Sequence, residues 1–214
     1  MPTPERRNAF LVSPFSKGGF RRINSNKEIP ISPPFPKGEK LKEGVRLAAV
    51  LGHPVAHSLS PAIFRAFAER AGVPLTYTAI DVRPENLEAT LDAISEPPWV
   101  GVNITLPHKE AVMRLCHRLD ASARLAGAVN VIAVRNGRRI GYNTDMEGFL
   151  APLRKRRISL RGASALVLGA GGAARAVCAA LVKEGVSVVY IVNRTLERAK
   201  QLAVLHNHKD GGVR

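Results

Sequence analysis

SALVLGAGGAAR, Ser164 to Arg175, decides how this chain is read. Its first half is a short apolar run of strand length. Its second half is rich in alanine and leads into a helical stretch reaching residue 184. Between them stand Gly169, Gly171 and Ala174, a G-x-G-x-x-A spacing. Gly169 permits the tight turn, Gly171 lets backbone approach a pyrophosphate, and Ala174 lets helix and strand pack closely. The free N–H groups of the helix start then face the phosphates. Elsewhere such a pattern is merely a tight turn; between strand and helix it predicts dinucleotide binding.

Working outward, VSVVYIV (186–192) predicts the next strand and 195–205 the next helix. A site for NAD places Asp or Glu at the end of that second strand, on the ribose 2′-hydroxyl. Here the strand runs into Asn193-Arg194-Thr195, with Arg198 following. Guanidinium groups match a phosphate with paired charge-assisted bonds, so this end predicts NADP. Arg198 alone could equally be a solvated helix residue.

Upstream, short apolar runs at 47–52, 75–82 and 99–105 alternate with helical stretches beginning at Ser60-Pro61, at Pro84 and around Lys109. Strands separated by helices of this length predict parallel βαβ units. Ser60 is expected to cap the first of these helices, with Ile63, Phe64, Phe67 and Ala71 on its inner face and Gly72 ending it. Leu87, Leu91 and Ile94 form the inner face of the second. AVNVIAV (128–134), Asn136-Gly137 and RRIGYN (138–143) predict a hairpin. Asp145 is expected to open a helix over 145–157. The fold class predicted is α/β: an N-terminal open βαβ substrate domain (45–144), then an incomplete Rossmann-type dinucleotide-binding domain (145–214). Residues 1–44 are rich in Pro, Gly, Lys, Arg and Ser, with an imperfect repeat at 13–20 and 32–40. They predict a disordered basic extension, because they lack a periodic apolar face.

Three polar clusters follow the predicted strands, at the ends where open α/β sheets bind ligands. They are His57-Ser58-Leu59-Ser60-Pro61, then Asn103-Ile104-Thr105-Leu106-Pro107-His108-Lys109, then Gly127-Ala128-Val129-Asn130 with Tyr142-Asn143-Thr144-Asp145. Ser58 and Ser60 offer hydroxyls beside a helix start, which suits a carboxylate, though helix capping is the plainer reading. Lys109 at a strand–helix junction is oddly placed for a merely solvating lysine. Asp145 could simply stabilise a helix N-terminus.

Net charge is +15 and the pI near 10.7. The cations are scattered, apart from Arg154-Lys155-Arg156-Arg157, and no nucleic-acid-binding signature accompanies them. Anionic small molecules are the expected partners, rather than nucleic acid. No apolar run is long enough for a membrane span, and no signal peptide pattern appears. Cys116 and Cys178 lack metal-ligand spacing, so reduced thiols, a cytoplasmic setting and no metal are expected.

HSLSP, NITLPHK, GAVN, YNTD, GAGGAAR and NRT stand here in one order and spacing, over roughly 46–205. In this the sequence resembles the shikimate dehydrogenases. The resemblance implies reversible, NADP-linked reduction of 3-dehydroshikimate to shikimate, on the route to chorismate and aromatic amino acids. It implies that Ser58 and Ser60 hold the substrate carboxylate. Thr105, Asn130 and Asp145 would hold ring hydroxyls. Lys109 and Asp145 would be the catalytic pair, with Lys109 as general acid/base. Gly169, Ala170, Gly171, Gly172 and Ala173 would cradle the pyrophosphate, and Asn193, Arg194, Thr195 and Arg198 the adenosine phosphate. It leaves a homodimer open. Two departures stand out: Met146 where the family has Gly, expected to crowd the substrate mildly, and the absence of the family's C-terminal part. Residues 1–214 alone are therefore expected to be an inactive fragment. A quinate/shikimate dehydrogenase is the runner-up, opposed by Arg194 and Arg198. A non-catalytic module that keeps shikimate or nucleotide affinity stands third.

Overall fold

The computed structural model describes residues 9–14 and 44–207. They belong to two compact units. One unit holds Ala121–Ala128, Asn143 onward and the first described strand, β1 (Ala9–Pro14). The other holds the described part of Arg21–Asp120 together with Val129–Tyr142. The division thus crosses the predicted boundary at 144, since 121–128 join the later residues.

The second of these units is built on one six-stranded sheet. Its strands are β2 (Arg46–Gly52), β3 (Leu75–Asp81), β4 (Trp99–Ile104), β5 (Arg118–Leu119), β6 (Val131–Arg135) and β7 (Arg138–Tyr142). Their order is β3-β2-β4-β6-β7-β5. β2 pairs in parallel with β3 and β4, while β4–β6 and β6–β7 are antiparallel. The sheet is therefore mixed, not purely parallel. The reason is the hairpin: Asn136 (φ 51°) and Gly137 (φ 69°) both take the left-handed conformation of a tight two-residue turn. That turn sends β7 straight back along β6. β2 lies inside the sheet, and Leu47, Ala49, Val50 and Leu51 are all buried. Leu47, Val50 and Leu51 each contribute about 1.5–3 kcal/mol by leaving water.

Helix α1 (Ser60–Ala71) ends on Gly72, whose left-handed φ of 64° closes the last turn. Its buried face differs from the expected one. Ile63 and Phe67 are exposed, at 47% and 62%, whereas Phe64 stacks on Tyr77 of β3 with centroids 4.2 Å apart and Ala68 is buried. The ring stack turns the helix by about one position. A single 3₁₀ turn (Pro84–Asn86) leads into α2 (Leu87–Ala93), and Leu87, Leu91 and Ile94 are buried as expected. The stretch after Lys109 is a 3₁₀ turn, Ala111–Leu115, not an α-helix. Lys109 itself lies in the turn before it.

In the other unit, β8 (Ser164–Leu168) pairs in parallel with β9 (Val188–Asn193). Helices α3 (Ala121–Ala126), α4 (Asp145–Lys155), α5 (Gly172–Lys183) and α6 (Leu196–Asn207) belong to it. Val167, Cys178, Leu181, Val189, Ile191, Ala199 and Leu202 form its core. Met146 is buried with Ala126, Leu150, Ala176 and Ala179 and fills the packing between helices. Arg154, in the one dense group of cations, pairs with Glu147 and Glu184.

β1 corrects the reading of 1–44 as wholly disordered. Ala9–Pro14 pair in parallel with Val188–Asn193, giving the order β1-β9-β8. Phe10-Leu11-Val12 is a short run of strand-forming residues within a polar segment, and the outer edge of β9 gives it a ladder to join. The rest of 1–44, including the 32–40 copy of the repeat, lies outside the described residues, as does 208–214.

Candidate active site

The parallel pairing of β2 with β4 carries the ends of both strands to the same edge of the sheet. Antiparallel pairing then starts β6 there, with Val131 opposite Asn103. Five predicted residues consequently share that edge: Ser58 and Ser60 after β2, Thr105 and Lys109 after β4, and Asn130 before β6. Backbone bonds fix their loops. Thr105 N–H donates to Leu51 O (2.9 Å), Ile104 N–H to Asn130 O (2.8 Å) and Val129 N–H to Lys109 O (2.7 Å). Gly52 presses against the Thr105 methyl so closely that a side chain there would force the strand ends apart. Asn130 is buried, at 9% exposure; Ser58, Ser60, Thr105 and Lys109 are half-buried. Hydroxyls, an amide and an ammonium group on one edge suit a small polyhydroxylated anion.

The serines divide their work differently from expectation. Leu59, not Ser60, is the cap residue of α1, and no side chain bonds the cap. Ser58 Oγ instead accepts the Ser60 N–H at 3.3 Å. The Ser60 hydroxyl bonds Tyr77, whose own hydroxyl donates to Asn103 Oδ1 at 2.6 Å. Burial pushes the Tyr77 phenol well above its ordinary range, and the Ser60 bond offsets this only partly. Tyr77 thus remains a neutral donor. Tyr77 was not a predicted site residue and Asn103 was named only within its polar cluster; the signal available was a tyrosine on β3, across β2 from Asn103 of β4.

Two further clamps hold the loops. His53 Nδ1 and Asp81 Oδ1 are 2.6 Å apart, and Asp81 also accepts the Val55 N–H at 3.1 Å. Desolvation alone would raise the Asp81 carboxyl, but the bonds from His53 and Val55 outweigh it and hold the group below its usual range. His108, buried at 1% exposure, donates from Nε2 to Val82 O at 2.6 Å. Burial pushes its imidazole down, so it stays neutral while anchoring the turn that carries Lys109.

Asp145 belongs to the other unit, where it is the first residue of α4 and half-buried. Asn143 holds it: Asn143 Oδ1 accepts the Asp145 N–H at 3.0 Å, and Nδ2 donates to Ala128 O at 3.0 Å. The Asn143 N–H donates in turn to Ser122 Oγ at 3.1 Å.

The turn from β8 to α5 has the form a phosphate needs. Gly169 has φ 111°, a conformation hostile to L side chains, and its N–H donates to Val192 O at 2.7 Å. Space is open where a Cβ would stand at Gly169 and at Gly171. Gly171 caps α5 with no side-chain bond, which leaves the helix start to a ligand. Ala170 and Gly172 are buried and Ala173 is exposed, so the turn presents backbone. After β9, Asn193 Nδ2 donates to Thr195 O at 2.8 Å and shapes the loop, while Arg194, Thr195 and Arg198 are exposed. These residues fit a dinucleotide bearing an extra phosphate: an open glycine turn at the pyrophosphate, and Asn193, not a carboxylate, ending the second strand with Arg194 and Arg198 after it.

Comparison with known proteins agrees with this arrangement. The family model for the shikimate dehydrogenase substrate-binding domain matches residues 50–132, and that for shikimate/quinate 5-dehydrogenase matches 152–211. The chain belongs to the shikimate dehydrogenase family. It is 48% identical to the Methanopyrus kandleri NADP(+) shikimate dehydrogenase over 158 residues, 73% of this chain and 54% of that protein. Shikimate dehydrogenase of Aquifex aeolicus superposes with a TM-score of 0.72 at 40% identity, over 78% of this chain and 62% of that one. The Thermus thermophilus enzyme, solved in complex with NADP(H) and shikimate, gives 0.68 at 43% identity, over 75% and 60%. This member of the family therefore spans about half the length of the curated relatives it matches.

Proposed function

We propose that the chain carries the shikimate-binding edge and the phosphate-cradling turn of an NADP-linked shikimate dehydrogenase. The reaction is reversible reduction of 3-dehydroshikimate, with one hydride and one proton added to the ketone. The observation that carries this reading is the gathering of Ser58, Ser60, Thr105, Lys109 and Asn130 on one sheet edge of the unit the substrate-domain model matches. NADPH, when bound, supplies the hydride. Gly169 to Ala173 hold its pyrophosphate, and Arg194 and Arg198, with Asn193 and Thr195, its 2′-phosphate.

The chain's own residues do the rest. Ser58 and Ser60 hold the carboxylate, with Ser60 oriented by neutral Tyr77. Thr105 and Asn130 hold ring hydroxyls, and Asp145 accepts a bond from another. The Lys109 ammonium donates its proton to the oxygen that gains charge and stabilises that charge beforehand. In the reverse direction it takes the proton back. The two thiols, Cys116 and Cys178, are free, which suits a cytoplasmic setting. Among the described residues no helix is long and apolar enough to cross a membrane. A homodimer belongs to this reading through the family resemblance alone.

The test joins this chain to the part of the Methanopyrus relative that follows its match and measures reduced nicotinamide formed from shikimate and NADP⁺. Shikimate-dependent turnover is expected, and Lys109→Ala should lower it by about 10²–10⁴ while changing substrate affinity much less. Near-normal turnover in Lys109→Ala would reject the proton-transfer assignment.

A further inference from the structure

In the unit that holds β2 to β7, a cavity of about 300 Å³ opens between the 3₁₀ turn at Pro84, the first turn of α2 and the turn that follows Lys109. That volume is at the small end for a ligand pocket. None of Ser58, Ser60, Thr105, Lys109 and Asn130 lines it. Leu87, Ala111 and Leu115 give it apolar wall, and Glu85, Glu88 and Arg114 bring charge. Among the described residues none of these three forms an ion pair. Two carboxylates and a guanidinium thus share one small cavity without neutralising one another.

His108 lines the same cavity and is 1% exposed. Its Nε2 donates to Val82 O at 2.6 Å. A carbonyl only accepts, so the ring proton sits on Nε2 and Nδ1 is an acceptor. Among the described residues Nδ1 has no hydrogen-bond partner, and it is not one of their sealed, unsatisfied atoms. The sliver of His108 that stays open therefore includes a free acceptor. The wall as a whole offers three acceptors, one cationic fork and an apolar surface. A phosphorylated ligand would meet two like charges there. A metal does not suit it either, because among the described residues no acidic and histidine groups converge as ligands do. An ammonium satisfies the acceptors, and a carboxylate matches the guanidinium fork.

We propose that this cavity binds a free α-amino acid with an apolar side chain. Glu85, Glu88 and His108 Nδ1 accept the bonds of its ammonium, Arg114 pairs with its carboxylate, and its side chain lies on Leu87, Ala111 and Leu115. The site stands on its own cavity and charges, not on the reaction proposed above.

The test titrates L-leucine into the isotopically labelled 214-residue chain, without shikimate or nucleotide, and follows backbone amide shifts. Saturable shifts are expected at Glu85, Leu87, Glu88, Ala111 and Arg114, with a Kd of about 1 mM or tighter. Isopentylamine, which lacks the carboxylate, and 4-methylpentanoate, which lacks the ammonium, should each bind about 10-fold or more weakly. Arg114→Ala should weaken leucine about 10-fold or more and leave isopentylamine unchanged. Glu85→Gln combined with Glu88→Gln should weaken leucine and isopentylamine but not 4-methylpentanoate. All three side chains are on exposed residues, so the melting points of these variants should hold. No saturable binding would overturn the proposal, as would an amine or acid that binds as tightly as leucine. So would shifts confined to Ser58, Ser60 and Thr105, which would put leucine on the sheet edge through its carboxylate alone. A chain that takes leucine in this cavity but ignores shikimate would count against the proposed reaction and leave this site standing.

Discussion

Asn143→Ala removes the residue that ties the start of α4 to the preceding loop. In the parent, one buried side chain makes both bonds, accepting from Asp145 N–H and donating to Ala128 O, each at 3.0 Å. Asn143 is 3% exposed and Ala128 fully buried, so the Ala128 carbonyl would be left without a partner inside the protein. Loss of the bond to Asp145 N–H costs about 1 kcal/mol, and orphaning the Ala128 carbonyl a further 1–3 kcal/mol or so. The total, about 2–4 kcal/mol, is a large part of a small unit's stability. With a urea dependence of about 1–2 kcal/mol per molar, the midpoint should fall by roughly 1–4 M. The assay is urea unfolding followed by helical circular dichroism, with hydrogen exchange localising the loss to α4 and α5. If Asn143→Ala unfolds within about 0.5 kcal/mol of the parent, the tether is not stabilising the helix start and the reasoning fails.

Arg194→Ala with Arg198→Ala should abolish the preference for NADP⁺ over NAD⁺ in calorimetric titration, at about 1.5–3 kcal/mol per lost charge-assisted contact; equal weakening of both would show that neither reads the 2′-phosphate. Removing residues 1–14 should accelerate amide exchange along β9, because β1 supplies its outer ladder; unchanged β9 protection would show that the strand contributes nothing. His108 has its folded pKa pushed below 6.5, so the unfolded chain takes up the proton first as acid is added. Stability should therefore fall as pH drops below about 6.5, towards the folded value, and be regained above it. His108→Gln should flatten that slope in urea titrations at stepped pH, and an unchanged slope would assign it to another group.

Much of this was legible in the sequence because local signals and tertiary demand agreed. Asn136-Gly137 admits few conformations other than a tight hairpin turn, and the strand–glycine–helix grammar of 164–175 has few other uses. What escaped was decided at a distance. The rotation of α1 depends on Phe64 meeting Tyr77 across the sheet, and no helical periodicity contains that stack. The turn after Lys109 is 3₁₀, closed by three-residue bonds from Met113 N–H to Glu110 O and Cys116 N–H to Met113 O that no helical periodicity marks. Asn143 looked like one letter of a motif, and only the buried Ala128 carbonyl shows why an amide stands there. β1 hid in a polar segment because a parallel edge strand needs a partner far along the chain, not a periodic face of its own.

The central claim, that this sheet edge binds shikimate, is tested most directly by titrating shikimate into the isotopically labelled 214-residue chain and following backbone amide shifts. Saturable shifts are expected at Ser58, Ser60, Thr105, Lys109 and Asn130, weakened in Lys109→Ala and not reproduced by benzoate. A well-dispersed spectrum in which these amides stay still, or move equally for any carboxylate, would contradict it.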